Sequence, residues 1–136
     1  MHKLFTSLLI LVAATAPMAV RAQTSAPRLQ AYDHCIRLQV ERQVVGIRGF
    51  VSEAVRDRVA QISLNACQAI LPGAVADYKA MVISVTHGTR YEARAAGSSD
   101  NEWHEKVVTD RFNLAKVFLS AATAPPPPPD RSGTSY

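Results

Sequence analysis

The stretch that determines the fold is VSEAVRDRVAQISLNACQAILPG, residues 51–73. Its apolar side chains recur at steps of three and four residues, which places them on one face of an α-helix: Val51, Val55, Val59, Ile62, Ala66 and Ile70. Ser52 followed by Glu53 is typical of a helix N-terminus, because a hydroxyl can cap the first turn and an acid there suits the helix dipole. Pro72-Gly73 is typical of a helix stop. The pattern predicts one amphipathic helix.

The segments on both sides carry a similar periodicity. Upstream, one apolar stripe predicts a helix that ends at the glycines of residues 46–49: Leu29, Tyr32, Ile36, Val40 and Val44. The run Met81–Thr86 is rich in β-branched residues, but a lone strand would have nothing to pair with, so a helix is favoured. Ser99 and Glu102 form a capping-box pattern, and a stripe after it predicts the last helix: Trp103, Val107, Leu114, Val117 and Ala121. Further apolar residues beside the stripe make a broad face that predicts a well-buried helix: Val108, Phe112, Phe118 and Leu119.

These elements predict an all-α fold, a small antiparallel bundle of three to four helices in one domain over residues 23–124. The expected helices lie at about residues 28–45, 51–71, 74–94 and 100–122.

The two cysteines predict a structural cross-link between the first two helices. The midpoint between Cys35 and Cys67 is residue 51, at the edge of the predicted turn at about residues 46–51, so the two lie at similar distances from the turn and face each other if the two helices are antiparallel. The spacing is not the Cys-x-x-Cys of a redox motif. We therefore predict a Cys35–Cys67 disulfide that closes a loop of about 33 residues and stabilises the fold by roughly 3–4 kcal/mol.

The two ends are expected to lie outside the domain. Residues 1–22 have a basic start, an uncharged apolar run and small residues before Ala22, the pattern of a cleaved secretory signal of the bacterial type. A membrane anchor is the alternative, although Pro17 interrupts the run. Residues 125–136 begin with five prolines and predict a disordered, extended tail. We therefore expect an exported protein, periplasmic or secreted, without a stable membrane span after cleavage.

The charge balance excludes some partners. The chain has 15 Lys and Arg against 11 Asp and Glu, and removal of residues 1–22 takes away Lys3 and Arg21. The remaining net charge of about +2 gives no case for nucleic-acid binding. Two cysteines are also too few for a disulfide-dense knot or a four-cysteine zinc site.

No motif predicts a catalytic, cofactor or metal site. His104-Glu105 begins like the zinc-protease HExxH, but Val108 stands where the second histidine is needed. His34 could bind a transition metal only if it met His87, His104 or an acidic side chain across the bundle.

The predicted function is therefore that of a non-enzymatic binding or structural protein of the cell envelope, with a protein or peptide partner. A small-ligand or metal-binding bundle is the alternative, and a small hydrolase is a third hypothesis.

Overall fold

The chain is helical throughout the part that the structure, a computed structural model, describes, which is residues 25–128. Its α-helices are α1 Pro27–Gln43, α2 Glu53–Ala66, α3 Leu71–Thr86, α4 Glu92–Gly97 and α5 Asp100–Thr123, and a 3₁₀ turn, Gln68–Ile70, precedes α3. This confirms the all-α class, with five helices over this range where three to four were predicted. The predicted signal at residues 1–22 lies outside the described residues, as does the tail from residue 129 onward.

The predicted helix stop at Pro72-Gly73 is wrong. The chain turns at Cys67, and both residues lie in the first turn of α3. Proline is tolerated there because the first turn of a helix does not use its amide donors. Gly73 lies against α1, where a Cβ atom would be 3.1 Å from Cδ of Arg28. The pair therefore starts α3 and lets it approach α1 closely.

The predicted third helix, residues 74–94, is divided. α3 ends at Thr86, and a turn with Gly88 at φ +72° leads into α4. The Glu92 carboxylate holds this turn, because it accepts a hydrogen bond from the Gly88 amide at 2.8 Å and lies 2.9 Å from Nδ1 of His87. The hydrogen bond from the Gly88 amide lowers the pKa of the Glu92 carboxyl most, and the hydrogen bond with His87 lowers it further. The β-branched run before the turn is helical, as predicted.

The core is built on α1, and its predicted stripe is fully buried: Leu29, Tyr32, Ile36, Val40 and Val44. The face of α2 differs from the prediction, because Val55, Ile62 and Ile70 are exposed while Ala60, Ser63 and Leu64 are buried. The face of α5 also differs, since Val117 and Ala121 are exposed. Its buried residues are Trp103, Val107, Ala115, Leu119 and Thr123. In both helices small residues share the inward face with larger apolar ones.

Cys35 and Cys67 lie at disulfide distance, as predicted. Their Sγ atoms are 2.07 Å apart and their Cα atoms 6.1 Å apart. Nearer the turn, Nε2 of Gln43 donates to Oγ of Ser63 at 2.8 Å, so α1 and α2 are joined at a second level. Because Cys67 must face α1, the residues one turn before it, Ser63 and Leu64, face inward as well.

Asp77 of α3 caps the start of α1, which has no side-chain cap of its own. Its Oδ2 accepts from the backbone amide of Arg28 at 2.7 Å, and its Oδ1 lies 2.7 Å from Nη2 of the same residue. Burial acts to raise the pKa of Asp77, but the hydrogen bonds from Arg28 and Leu29 outweigh it, and the net effect lowers the pKa below its ordinary value of 3.8. The ionised carboxylate therefore stabilises the contact between α1 and α3.

This contact predicts an acid-dependent loss of stability. A carboxylate with a lowered pKa in the folded state contributes its stability in full above the unfolded value, and that contribution is lost as the pH falls through the folded value. Asp77→Asn should therefore lower the melting temperature at pH 7 and flatten its dependence on pH below about 4. Melting curves from pH 7 to pH 2 measure both, with Glu105→Gln, at an exposed acid of α5, as the control. An unchanged acid limb in Asp77→Asn would contradict the assignment.

Candidate functional site

A cleft of about 500 Å³ lies between the end of α3, the short helix α4 and the start of α5. It is lined by Val82, Thr86, Tyr91, Arg94, Ala95, Ser98, Glu102, Trp103 and Lys106. The capping box predicted at Ser99 and Glu102 is present, with the Glu102 carboxylate accepting from the Ser99 amide at 2.6 Å. This cap sets where α5 begins, and so where Trp103 and Lys106, three residues apart on one face, enter the cleft.

The floor of the cleft is apolar. It includes Val82, Ala95 and Trp103, whose indole packs edge-to-face on Tyr78 with ring centroids 6.2 Å apart. The Nε1 donor of Trp103 is buried and has no hydrogen-bond partner among the described residues, a condition it shares with the hydroxyl of Tyr32 in the core. A buried donor without a partner costs about 1–3 kcal/mol. The cleft wall therefore holds one unsatisfied donor.

The rim of the cleft is positively charged. Arg94 and Lys106 line it, and neither has a carboxylate within ion-pair distance among residues 25–128. The one acid of the lining, Glu102, is engaged by the Ser99 amide. Arg90 lies beside the cleft, stacked over the ring of Tyr91 at 4.8 Å. The lining thus carries two cations without an ion pair against one carboxylate, a net positive charge beside the apolar side chains of the floor.

An apolar helix forms one wall of the cleft and continues beyond it. The stretch Gln68–Thr86 is, by length and composition, long and apolar enough to cross a membrane, and 17% of its apolar stretch is buried. This stretch packs on α1, because Asp77 pairs with Arg28 and the preceding residue, Cys67, lies at disulfide distance from Cys35. Its outer side is mostly small and uncharged, with Ala76, Ala80 and Ile83 exposed. The cleft is therefore bordered by an apolar surface rather than by a solvated charged face.

Comparison with known proteins identifies no protein similar to this chain. No family model matches it. The searches of curated proteins and of solved structures found no match either. The cleft must therefore be judged by its own chemistry.

The histidines weighed for a metal site lie elsewhere. His34 is exposed on α1, His87 pairs with Glu92, and His104 lines a separate groove beside the ion pair of Lys79 with Asp100. Within the described chain, no three His, Cys, Asp or Glu side chains are grouped closely enough to hold a metal ion.

The sequence prediction named no residue of the cleft as functional. The sequence assigns Trp103 to the core, and it assigns Glu102 to the capping box and, by its spacing from Glu105, to a solvated helix face rather than to a pair of catalytic carboxylates. The turn after Thr86 was predicted to be helical. The sequence therefore could not show that Arg94 and Lys106 line the same cleft. Gly88 was the one local signal of that turn.

Proposed function

We propose that this chain is an exported, non-enzymatic protein that binds a peptide segment of a partner in the cell envelope at the cleft. The observation that supports it is the pair of open cations, Arg94 and Lys106, above the apolar floor around Trp103. A cysteine pair at disulfide distance suits an oxidising compartment. We further propose that the helices form an antiparallel bundle, which the Cys35–Cys67 and Gln43–Ser63 pairs favour.

The chemistry of the cleft favours an acidic segment with an apolar side chain. An arginine can bind a carboxylate through two parallel hydrogen bonds, and a lysine adds a second charge. The hydroxyl groups of Ser98 and Thr86 donate to the carbonyls of Arg94 and Val82, which leaves their oxygens free to accept from peptide amides. A neighbouring apolar side chain would rest on Val82 and Trp103.

The same hydrogen bonds favour binding over catalysis. The Ser98 hydroxyl is directed to a backbone carbonyl, and no histidine lines the cleft. Its one carboxylate, Glu102, holds the start of α5. The lining therefore offers no nucleophile paired with a base, the arrangement that covalent catalysis requires.

A small anionic ligand is the second candidate for the same cleft. The volume of about 500 Å³ lies within the range of small-molecule sites, about 300–1,000 Å³. A compact organic carboxylate would use the same two cations and the same floor.

A random peptide library tests the proposal. We expect the wild-type chain to select peptides with a carboxylate beside an apolar residue, and the double variant Arg94→Glu/Lys106→Glu to bind the selected peptides at least about tenfold more weakly, since each charge-assisted pair contributes more than 1 kcal/mol. Arg42→Glu/Arg58→Glu is the matched control, because it makes the same change of charge at exposed arginines away from the cleft.

The outcomes separate the two candidates. Equal loss of binding in both double variants would show a general charge effect and contradict the cleft. Failure to select any peptide, together with a change of Trp103 fluorescence on addition of benzoate or hexanoate that the cleft variant abolishes, would favour the small ligand. Trp103 is the only tryptophan in the chain, so its emission reports on this site alone.

A further inference from the structure

The loop between α1 and α2, residues 44–52 and here named the tip loop, exposes apolar side chains at the end of the molecule. Phe50 is 92% exposed and Val45 80%, and Ile47 is exposed beside them. Single exposed apolar residues are common on monomeric proteins, but three within six residues form an apolar patch, and such patches indicate an interaction surface.

The exposure is built into the loop, because its backbone is held. Gly46 and Gly49 have φ of +80° and +89°, a conformation that other residues rarely adopt. The Gly49 amide donates to the Thr123 carbonyl at 2.8 Å, and the Arg48 guanidinium donates to the carbonyls of Ile47 at 2.9 Å and Ala122 at 3.2 Å. The loop is thus fastened to the end of α5 by its polar groups and to the core by Val44 and Val51, while Val45, Ile47 and Phe50 are exposed.

The charge of the tip loop has one sign. Arg42 and Arg48 are the only charged residues from position 42 to position 52. Neither pairs with a carboxylate in the part of the chain that the structure describes, whereas the flanking acid Glu53 is engaged by the ammonium group of Lys116. Glu41 is the remaining acid nearby. The tip loop therefore combines exposed apolar side chains with Arg48, and Arg42 precedes it at the end of α1; neither arginine has an ion pair among the described residues.

We propose that the tip loop docks on the surface of an anionic lipid bilayer. Phe50 and Val45 are almost fully exposed, so their side chains can enter a soft headgroup region, which needs no complementary groove on a partner. In that geometry Phe50, Val45 and Ile47 enter the interface, while Arg42 and Arg48 meet anionic headgroups. The docking is peripheral and does not depend on the cleft, since the tip loop is bonded to Thr123 at the end of α5 whereas the cleft lies at its start, and α5, with 24 residues, is about 36 Å long.

Vesicle sedimentation tests the proposal, with the chain that begins at Gln23, the predicted mature N-terminus. We expect it to bind vesicles of phosphatidylglycerol mixed with phosphatidylcholine, and not vesicles of phosphatidylcholine alone. Phe50→Asp and Val45→Asp should each lower binding about tenfold, because each removes apolar burial and adds a charge of the wrong sign. Val85→Asp is the matched control: it makes the same substitution at a valine that is 65% exposed on the last turn of α3, and binding should not change by more than twofold.

A second measurement reports insertion directly. Phe50→Trp places an indole at the tip, and its emission should shift to the blue on addition of the anionic vesicles, while Trp103 in the wild-type chain should not respond. Absence of binding to anionic vesicles, or binding that Phe50→Asp leaves unchanged, would overturn the proposal. So would a concentration-dependent dimer that Phe50→Asp abolishes, because the tip would then serve a second copy of the chain.

Discussion

Replacement of both cysteines, Cys35→Ala/Cys67→Ala, should lower the melting temperature by roughly 15–25 °C. The cross-link closes a loop of about 33 residues and is expected to contribute roughly 3–4 kcal/mol by restricting the unfolded chain. In a domain of this size each kcal/mol corresponds to about 4–8 °C. Since the whole domain is held by only about 5–15 kcal/mol, the variant loses a large part of its stability.

Reduction of the wild-type chain provides the control for this prediction. Calorimetry with and without dithiothreitol should show the same fall in the wild type and none in the double variant, which separates the bond from any cavity that the substitution leaves at the buried Cys67. A wild-type melting curve that is indifferent to reductant would contradict a stabilising disulfide. A fall of only a few degrees would show that other contacts between α1 and α2, such as Gln43 with Ser63, hold the pair.

The part of the fold that could be predicted is the part governed by local pattern. In α1 the apolar residues are large and strictly periodic, and all five predicted positions are buried, from Leu29 to Val44. The glycines at 46 and 49 marked a real turn, with positive φ at both. Because the turn was placed correctly, the similar distances of Cys35 and Cys67 from it predicted that the two would meet.

The cleft could not be predicted because it depends on a break in a helix. The turn after Thr86 interrupts a segment whose periodicity is helical, and Gly88 alone marks it. Pro72-Gly73 was wrongly interpreted as a helix stop, because proline is also common in the first turn of a helix. Here Pro72 starts a helix because Gly73 packs closely on Arg28, a contact between residues 45 positions apart that local sequence does not reveal.

The inward faces of α2 and α5 were mispredicted for a shared physical reason. The large apolar residues Ile62 and Val117 were expected to face inward, whereas closely packed helices also place small residues at the contact. Here Ala60, Ser63 and Ala115 are buried, together with the larger Leu64 and Leu119. Val117 is consequently 61% exposed, and Leu119, two positions later, is fully buried. The two residues therefore provide a direct test of where α5 faces.

Leu119→Ala should destabilise the domain by about 2–5 kcal/mol, because it removes buried methyl groups and leaves a cavity in the core cluster that α5 shares with α1 and α2. Val117→Ala, on the same helix, should change the free energy of unfolding by less than about 0.5 kcal/mol, since an exposed valine loses little contact and alanine is the better helix former. Urea denaturation of both variants measures the difference. Equal destabilisation would mean that α5 presents the stripe of Leu114, Val117 and Ala121 to the core, as the periodicity alone predicted, and the described packing of α5 would be wrong.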